Sequence, residues 1–197
     1  MNTDTHKQKN FLISPGGVAS VALEKLFGKG REPYHLERFN AHFNHERPVN
    51  FDATLLNGGK VAYIFGDPFD IALSFFRRGF LQHPYDHCRY IGGDQKILAQ
   101  KNEWTIEDFL QLGEDPFDIE GQFYSWYKHR DRNYDILFVK YSSLDRRIYD
   151  LAKWYGAEER AKEFTFRKRN SNWSKESDEI KTGLNNMFGS FRKFINT

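Results

Sequence analysis

The feature that most narrows the fold is a pattern met three times: a short apolar run, a turn, then apolar residues at helical spacing. Phe11-Leu12-Ile13 stops at Ser14-Pro15-Gly16-Gly17, after which Val18, Val21, Ala22, Leu23, Leu26 and Phe27 recur at helical spacing as far as Gly28. Val61-Ala62-Tyr63-Ile64-Phe65, following Asn57-Gly58-Gly59, reads as a buried strand broken by Gly66-Asp67-Pro68. Phe69 to Arg78 then reads as a helix, with Asp67 as N-cap and Pro68 at its first position. Ile136-Leu137-Phe138-Val139-Lys140 is a third strand, followed by a helix from about Leu144 to Tyr155. Strands that are apolar throughout are buried on both faces, so alternating βα units predict an α/β fold with a central parallel sheet covered by helices.

Between the second and third units the character changes. Gln82 to Lys101 is polar and reads as a long loop or irregular insert. Thr105-Ile106-Glu107-Asp108 opens a short helix, and Asp118 to His129 reads as another. The last helix begins near Ser174 and carries Ile180, Leu184, Met187, Phe188 and Phe191 on one side. Asp67-Pro68-Phe69-Asp70-Ile71 recurs as Asp115-Pro116-Phe117-Asp118-Ile119, which without surrounding similarity reads as two similar helix starts. At 197 residues the chain is expected to form one domain, residues 1–197.

Aromatics make up 17% of the chain, with 19 Phe, and supply a core despite a mean hydropathy of −0.74, which excludes disorder throughout. The net charge of +2 is nearly balanced, and no nucleic-acid partner is expected. The balance is uneven, however. Residues 160–197 hold 9 Lys+Arg and 4 Asp+Glu, a local +5, which leaves 20 and 23 in the rest of the chain, a local −3. A basic stretch on a mildly acidic body points to an anion-binding region, or to a solvated basic helix. The lone Cys88 excludes an intrachain disulfide and a Cys-rich zinc site. The polar Met1 to Asn10 lacks the apolar region of a signal peptide, and no run is long enough to span a bilayer, so a soluble, cytoplasmic protein is expected.

A strand, a glycine turn and a helix N-terminus together aim backbone N–H groups at one spot, where the helix dipole favours phosphate or sulfate. Ser14-Pro15-Gly16-Gly17-Val18-Ala19-Ser20 has the small residues that such an approach needs. It lacks the lysine of a Walker A loop, which argues against ATP or GTP hydrolysis. A purely structural turn fits these residues as well.

The second unit adds a resemblance. Lys60 to Ser74 resembles the signature of the sulfotransferase family, in which a buried strand runs into Arg-Asp-Pro-x-Asp with a serine eight positions after the arginine. Asp67, Pro68, Asp70 and Ser74 match. Tyr134 to Leu144 resembles the family's strand ending in Tyr-Glu-Asp-Leu, and Gln122-Phe123-Tyr124-Ser125-Trp126 the helix with a Ser-Trp pair before it. Phe166 to Trp173 resembles the late Arg-Lys-Gly…Trp segment. The pieces keep the family's order and, with the first turn, span nearly the whole chain. The resemblance implies a three-layer, P-loop-NTPase-like fold.

It also implies transfer of a sulfuryl group from 3′-phosphoadenosine 5′-phosphosulfate (PAPS) to a hydroxyl of a small-molecule or glycan acceptor, with 3′-phosphoadenosine 5′-phosphate (PAP) as product and no metal. The first turn would hold the 5′ sulfate-phosphate end through Gly16, Gly17, Val18, Ala19 and Ser20. Ser74 would bind the 3′-phosphate, and Arg167, Lys168 or Arg169 would close over it. In the family a histidine near a proline, before the second strand, often acts as base; His45, three residues before Pro48, is the first choice and His42 the second.

Two positions depart from the family. Its first-turn lysine is here Pro15 or Gly16, and the arginine of Arg-Asp-Pro is Gly66, so two cations that stabilise charge are missing. Arg77, Arg78 or the basic C-terminal segment are the candidates to replace them. A transferase using another nucleotide donor, such as a nucleotide sugar, and a non-catalytic binding protein of the same fold are the competing readings.

Overall fold

The computed structural model describes residues 10–27, 42–44, 47–50, 56–77, 105–166 and 172–197. Its centre is a sheet of β1 (Asn10–Ile13), β2 (His42–Asn44), β3 (Lys60–Phe65) and β4 (Asp135–Lys140), in the order β2-β1-β3-β4 and parallel at every pairing. Phe11 to Ile13 and Val61 to Ile64 are buried, as expected of strands covered on both faces. The α/β class and the parallel sheet thus follow the sequence pattern.

Six helices accompany the strands among the described residues: α1 (Ser20–Phe27), α2 (Pro68–Arg77), α3 (Ile106–Gln111), α4 (Ile119–Tyr127), α5 (Leu144–Trp154) and α6 (Asp178–Phe194). Asp67 Oδ1 accepts from Phe69 N at 3.0 Å, so the expected cap of α2 is present. α6 starts later than Ser174 because Ser177 caps it, with Ile180 N on its hydroxyl, while Trp173–Lys175 form a separate 3₁₀ turn. Ile180, Leu184, Phe188 and Phe191 are its buried stripe. α1 begins two residues after Val18, because Val18 and Ala19 belong to the turn.

Strand β2 has no apolar run to announce it. The sequence pattern assigns no element to His42-Phe43-Asn44, yet it pairs with β1 in the register Phe11–His42 to Ile13–Asn44. Neighbouring strands supply the hydrogen bonds, so a three-residue strand at the end of the described sheet needs little pattern of its own. The repeated pentapeptide gives two helix starts of different detail. Asp115 Oδ1 accepts from Phe117 N at 3.0 Å and its Oδ2 from Ile119 N at 2.6 Å, but α4 begins only at Ile119. Burial raises the Asp115 carboxyl to about 7 against the opposing effect of those N–H groups.

Part of the basic C-terminal stretch serves the fold. Arg160 Nη1 donates to Leu26 O at 2.8 Å, which satisfies a carbonyl near the end of α1. Lys181 pairs with Asp178 one turn away in α6. Residues 82–101, expected as an insert, lie outside the described residues.

Candidate functional site

The chain leaves β1 toward β2 on one side of the sheet and leaves β3 toward β4 on the other. The carboxyl ends of β1 and β3, which lie side by side through Ile13 and Tyr63, therefore flank a topological switch point. In open parallel sheets ligands bind in the crevice at such a point. Two turns meet there, Ser14 to Ala19 after β1 and Gly66-Asp67 after β3.

The first turn is built to present backbone. Gly16 and Gly17 take φ values of 91° and 62°, and Ala19 takes 59°, a left-handed conformation that costs a non-glycine residue about 1–2 kcal/mol. Ala19 O accepts from Ala22 N and Leu23 N, both at 3.0 Å, and so opens α1. Gly16 N donates to Ser14 Oγ at 3.2 Å. The N–H groups of Gly17, Val18 and Ala19 have no hydrogen-bond partner among the described residues, although Gly17 and Val18 are buried. N–H groups gathered at a helix N-terminus have the geometry that backbone anion sites use.

Beneath the turn lies a buried polar chain. Tyr63 Oη donates to Gln122 Oε1 at 2.7 Å, and Gln122 Nε2 donates to Ser14 O at 3.4 Å. Tyr63, Gln122 and Ser14 are each fully buried. Burial holds the Tyr63 phenol well above its ordinary range, opposed by the Arg47 charge, so the hydroxyl stays a donor. Arg47 itself pairs with Asp118, which sits in a left-handed conformation at the start of α4 with φ 52°. A Cβ on Gly121 would fall 2.0 Å from Asp118 Oδ1, so a larger residue there would push that carboxylate aside.

The second turn is closed by other parts of the protein. A Cβ on Gly66 would lie 2.9 Å from Val18 Cγ1, so Val18 of the first turn occupies the space through which an arginine at this position would leave the backbone. Asp67 Oδ2 accepts from Arg192 Nε at 2.7 Å. The Arg192 guanidinium lies 4.8 Å from the Phe69 ring centroid and 4.4 Å from that of Trp173, and Trp173 N donates to Asp70 Oδ1 at 3.1 Å. The cation beside Asp67-Pro68 thus comes from α6, within the basic C-terminal stretch, and not from Arg77, whose side chain is exposed at the far end of α2. Lys140, at the end of β4, donates to Ile195 O at 3.2 Å and ties the end of α6 to the same edge.

Of the residues expected in the site, Gly16, Gly17, Val18, Ala19 and Ser20 lie together at the β1–α1 turn. Ser74 is in α2, 4% exposed, with its hydroxyl donating to Ile71 O at 2.8 Å, so its proton is engaged by its own helix. His42 falls in β2. His45, Arg78, Arg167, Lys168 and Arg169 lie outside the described residues. Sequence reasoning missed Arg192, Gln122 and the Arg47–Asp118 pair. Gln122 stood in a recognised segment without a role, and nothing in the spacing of Arg192 tied it to Asp67, 125 residues earlier. No group of three or more His, Cys, Asp or Glu positioned to hold a metal occurs among the described residues, and no described helix is long and apolar enough to cross a membrane.

No protein-family model matches the chain, and no curated protein matches it by sequence. A solved structure does. The chain is similar to mouse sulfotransferase SULT7A1, crystallised in complex with PAP, with a TM-score of 0.56 over 96% of this chain and 88% of that one, at 14% identity. The likeness is one of fold. An α/β chain with a sulfotransferase-like fold is what sequence and structure together establish.

Proposed function

We propose that the chain is a sulfotransferase-like transferase that binds PAPS at the switch point and moves its sulfuryl group to a hydroxyl acceptor such as a glycan. A three-layer, P-loop-NTPase-like arrangement goes with this reading. The observation that carries it is the set of N–H groups at buried Gly17 and Val18 and half-buried Ala19, without protein partners among the described residues, at the N-terminus of α1. These groups, with Gly16 and Ser20, would hold the 5′ sulfate-phosphate end. The fold neighbour's PAP supports a nucleotide of that class.

In the reaction the acceptor oxygen attacks sulfur in line while the bond from sulfur to the 5′-phosphate oxygen breaks, and PAP leaves. The acceptor's proton passes to a base. His45 is assigned that role, with His42 second; the pairing of Asn44 with Ile13, which brings the end of β2 beside the first turn, supports a base from this stretch. Ser74 is assigned to the 3′-phosphate, which requires its hydroxyl to rotate away from Ile71 O. Arg167, Lys168 and Arg169 are assigned as its cations from the sequence resemblance.

Titration calorimetry with PAP against a panel of nucleotide sugars tests the reading. Stabilisation by PAP at micromolar to millimolar concentration, weakened by His45-independent changes in the turn, is the expected result. No binding of PAP at millimolar concentration sinks it. One observation favours a second reading, a nucleotide-sugar transferase or a non-catalytic binding protein: Val18 fills the space beside Gly66, so the missing arginine cannot simply be restored. Binding of a nucleotide sugar in preference to PAP, or PAP binding without turnover on any acceptor, selects between those two.

A further inference from the structure

We propose that Gln122 is a positioning residue of the anion turn, holding the Ser14 carbonyl inward so that the following N–H groups stay available to the ligand. This rests on the function proposed above, and it concerns a residue that touches neither ligand nor reacting atoms. The argument begins with cost. A buried amide, phenol and hydroxyl in an apolar surrounding are expensive unless each finds partners, and apolar residues of similar volume would fill the same space. Here Tyr63, Gln122 and Ser14 are all fully buried among apolar side chains such as Ile13, Phe123 and Trp126.

The bonds have one consistent direction. Ser14 O can only accept, so the amide atom 3.4 Å from it is the Nε2 donor. That leaves Oε1 to accept from Tyr63 Oη at 2.7 Å. Tyr63 lies in the middle of β3 and Gln122 one turn into α4, so the amide is fixed from two rigid elements. Its other end fixes the first residue after β1. Ser14 then accepts Gly16 N–H on its own hydroxyl at 3.2 Å, and the chain turns through the positive φ values of Gly16 and Gly17. Gln122 thus connects the interior of the sheet to the one peptide that sets the direction of the turn. A purely apolar core would pack as well, but would not supply this donor to the Ser14 carbonyl.

The decisive variant is Tyr63→Phe with Gln122→Leu, because it takes away the whole Tyr63–Gln122 pair and withdraws this donor from the Ser14 carbonyl alone. Two measurements are made on the full chain. Amide hydrogen exchange at Gly16 to Ala19, without ligand, is expected to accelerate at least tenfold relative to wild type, with a far smaller change in β3 and α6. The Kd for PAP is expected to rise at least tenfold. Unchanged exchange at the turn overturns the proposal, whatever the affinity does. If wild type binds no PAP, the functional reading fails on its own, and the exchange measurement still decides the role of Gln122. Should the double variant not fold, Gln122→Asn, one methylene short of Ser14 O, is read by the same exchange measurement and with the same decision.

Discussion

The turns after β1 and β3 stand side by side at the carboxyl end of the sheet, follow buried strands and open helices, yet they are finished in opposite ways. The β3 turn is satisfied from within the protein: Asp67 caps α2, Arg192 neutralises Asp67, and the aromatic rings of Phe69 and Trp173 flank the guanidinium. The β1 turn does not. It holds Ala19 in a left-handed conformation and keeps the N–H groups of Gly17 to Ala19 without partners among the described residues. A turn satisfied from within the protein contributes to stability; a turn that keeps strain and unpaired donors needs something else to complete it. On the proposed function, the first turn holds the ligand and the second is its scaffold.

The largest effect is expected at Gly16. Its φ of 91° excludes a β-branched residue without rearrangement, so Gly16→Val should lower stability by about 2 kcal/mol and abolish PAP binding. Urea unfolding and calorimetry read the two effects separately. Retained affinity for PAP would break the contrast, because the turn would then tolerate loss of its geometry.

Gly66 tests how far the two turns depend on each other. Gly66→Ala places a methyl 2.9 Å from Val18 Cγ1, and overpacking of this kind costs about 1–3 kcal/mol. Combining it with Val18→Ala should recover much of the loss, since the collision is specific to that pair. Gly66→Arg alone should not strengthen PAP binding; with Val18→Ala it should. Equal destabilisation by Gly66→Ala with and without Val18→Ala would show that the contact does not couple the turns.

Arg192→Ala addresses the second turn alone. The ion pair is partly exposed, 31% at Arg192 and 22% at Asp67, so its own contribution is small, and loss of the two aromatic contacts brings the expected cost to about 1–2 kcal/mol. PAP affinity should stay within threefold of wild type if this cation is structural. A tenfold loss of affinity at unchanged thermal midpoint would instead give Arg192 the role of the arginine missing at Gly66.

These contrasts explain what could be read in advance. Strands β1 and β3 were legible because burial on both faces writes itself as a continuous apolar run, β4 because Ile136 to Val139 are apolar although Val139 alone of them is fully buried, and the cap of α2 because Asp-Pro is a local signal. β2 was not, since its three residues are ordered by pairing with β1 rather than by their own pattern. The first turn was legible as glycines between a strand and a helix. Its support was not: Gln122 reaches Ser14 across 108 residues, and Arg192 reaches Asp67 across 125. Long-range partners of this sort leave no spacing to find. The repeated Asp-Pro-Phe-Asp-Ile makes the same point within one molecule. The first copy starts a helix at its proline, whereas in the second the helix waits until Ile119 while Asp118 takes a left-handed conformation and pairs with Arg47.

The smallest expected effect separates strain from function at Ala19. Glycine there removes the left-handed penalty of about 1–2 kcal/mol but adds about 0.5–1 kcal/mol of chain entropy to be lost on folding, so Ala19→Gly should stabilise the chain by up to about 1.5 kcal/mol. The N–H of residue 19 remains in either case, so PAP affinity should change little if the cradle is held by its surroundings, by Ser14 and Gln122 below and Val18 beside Gly66. A more stable but clearly weaker binder would mean that the alanine's restricted backbone itself keeps the N–H groups in place. The strain at Ala19 would then belong to the binding site and not merely to the tight passage from β1 into α1.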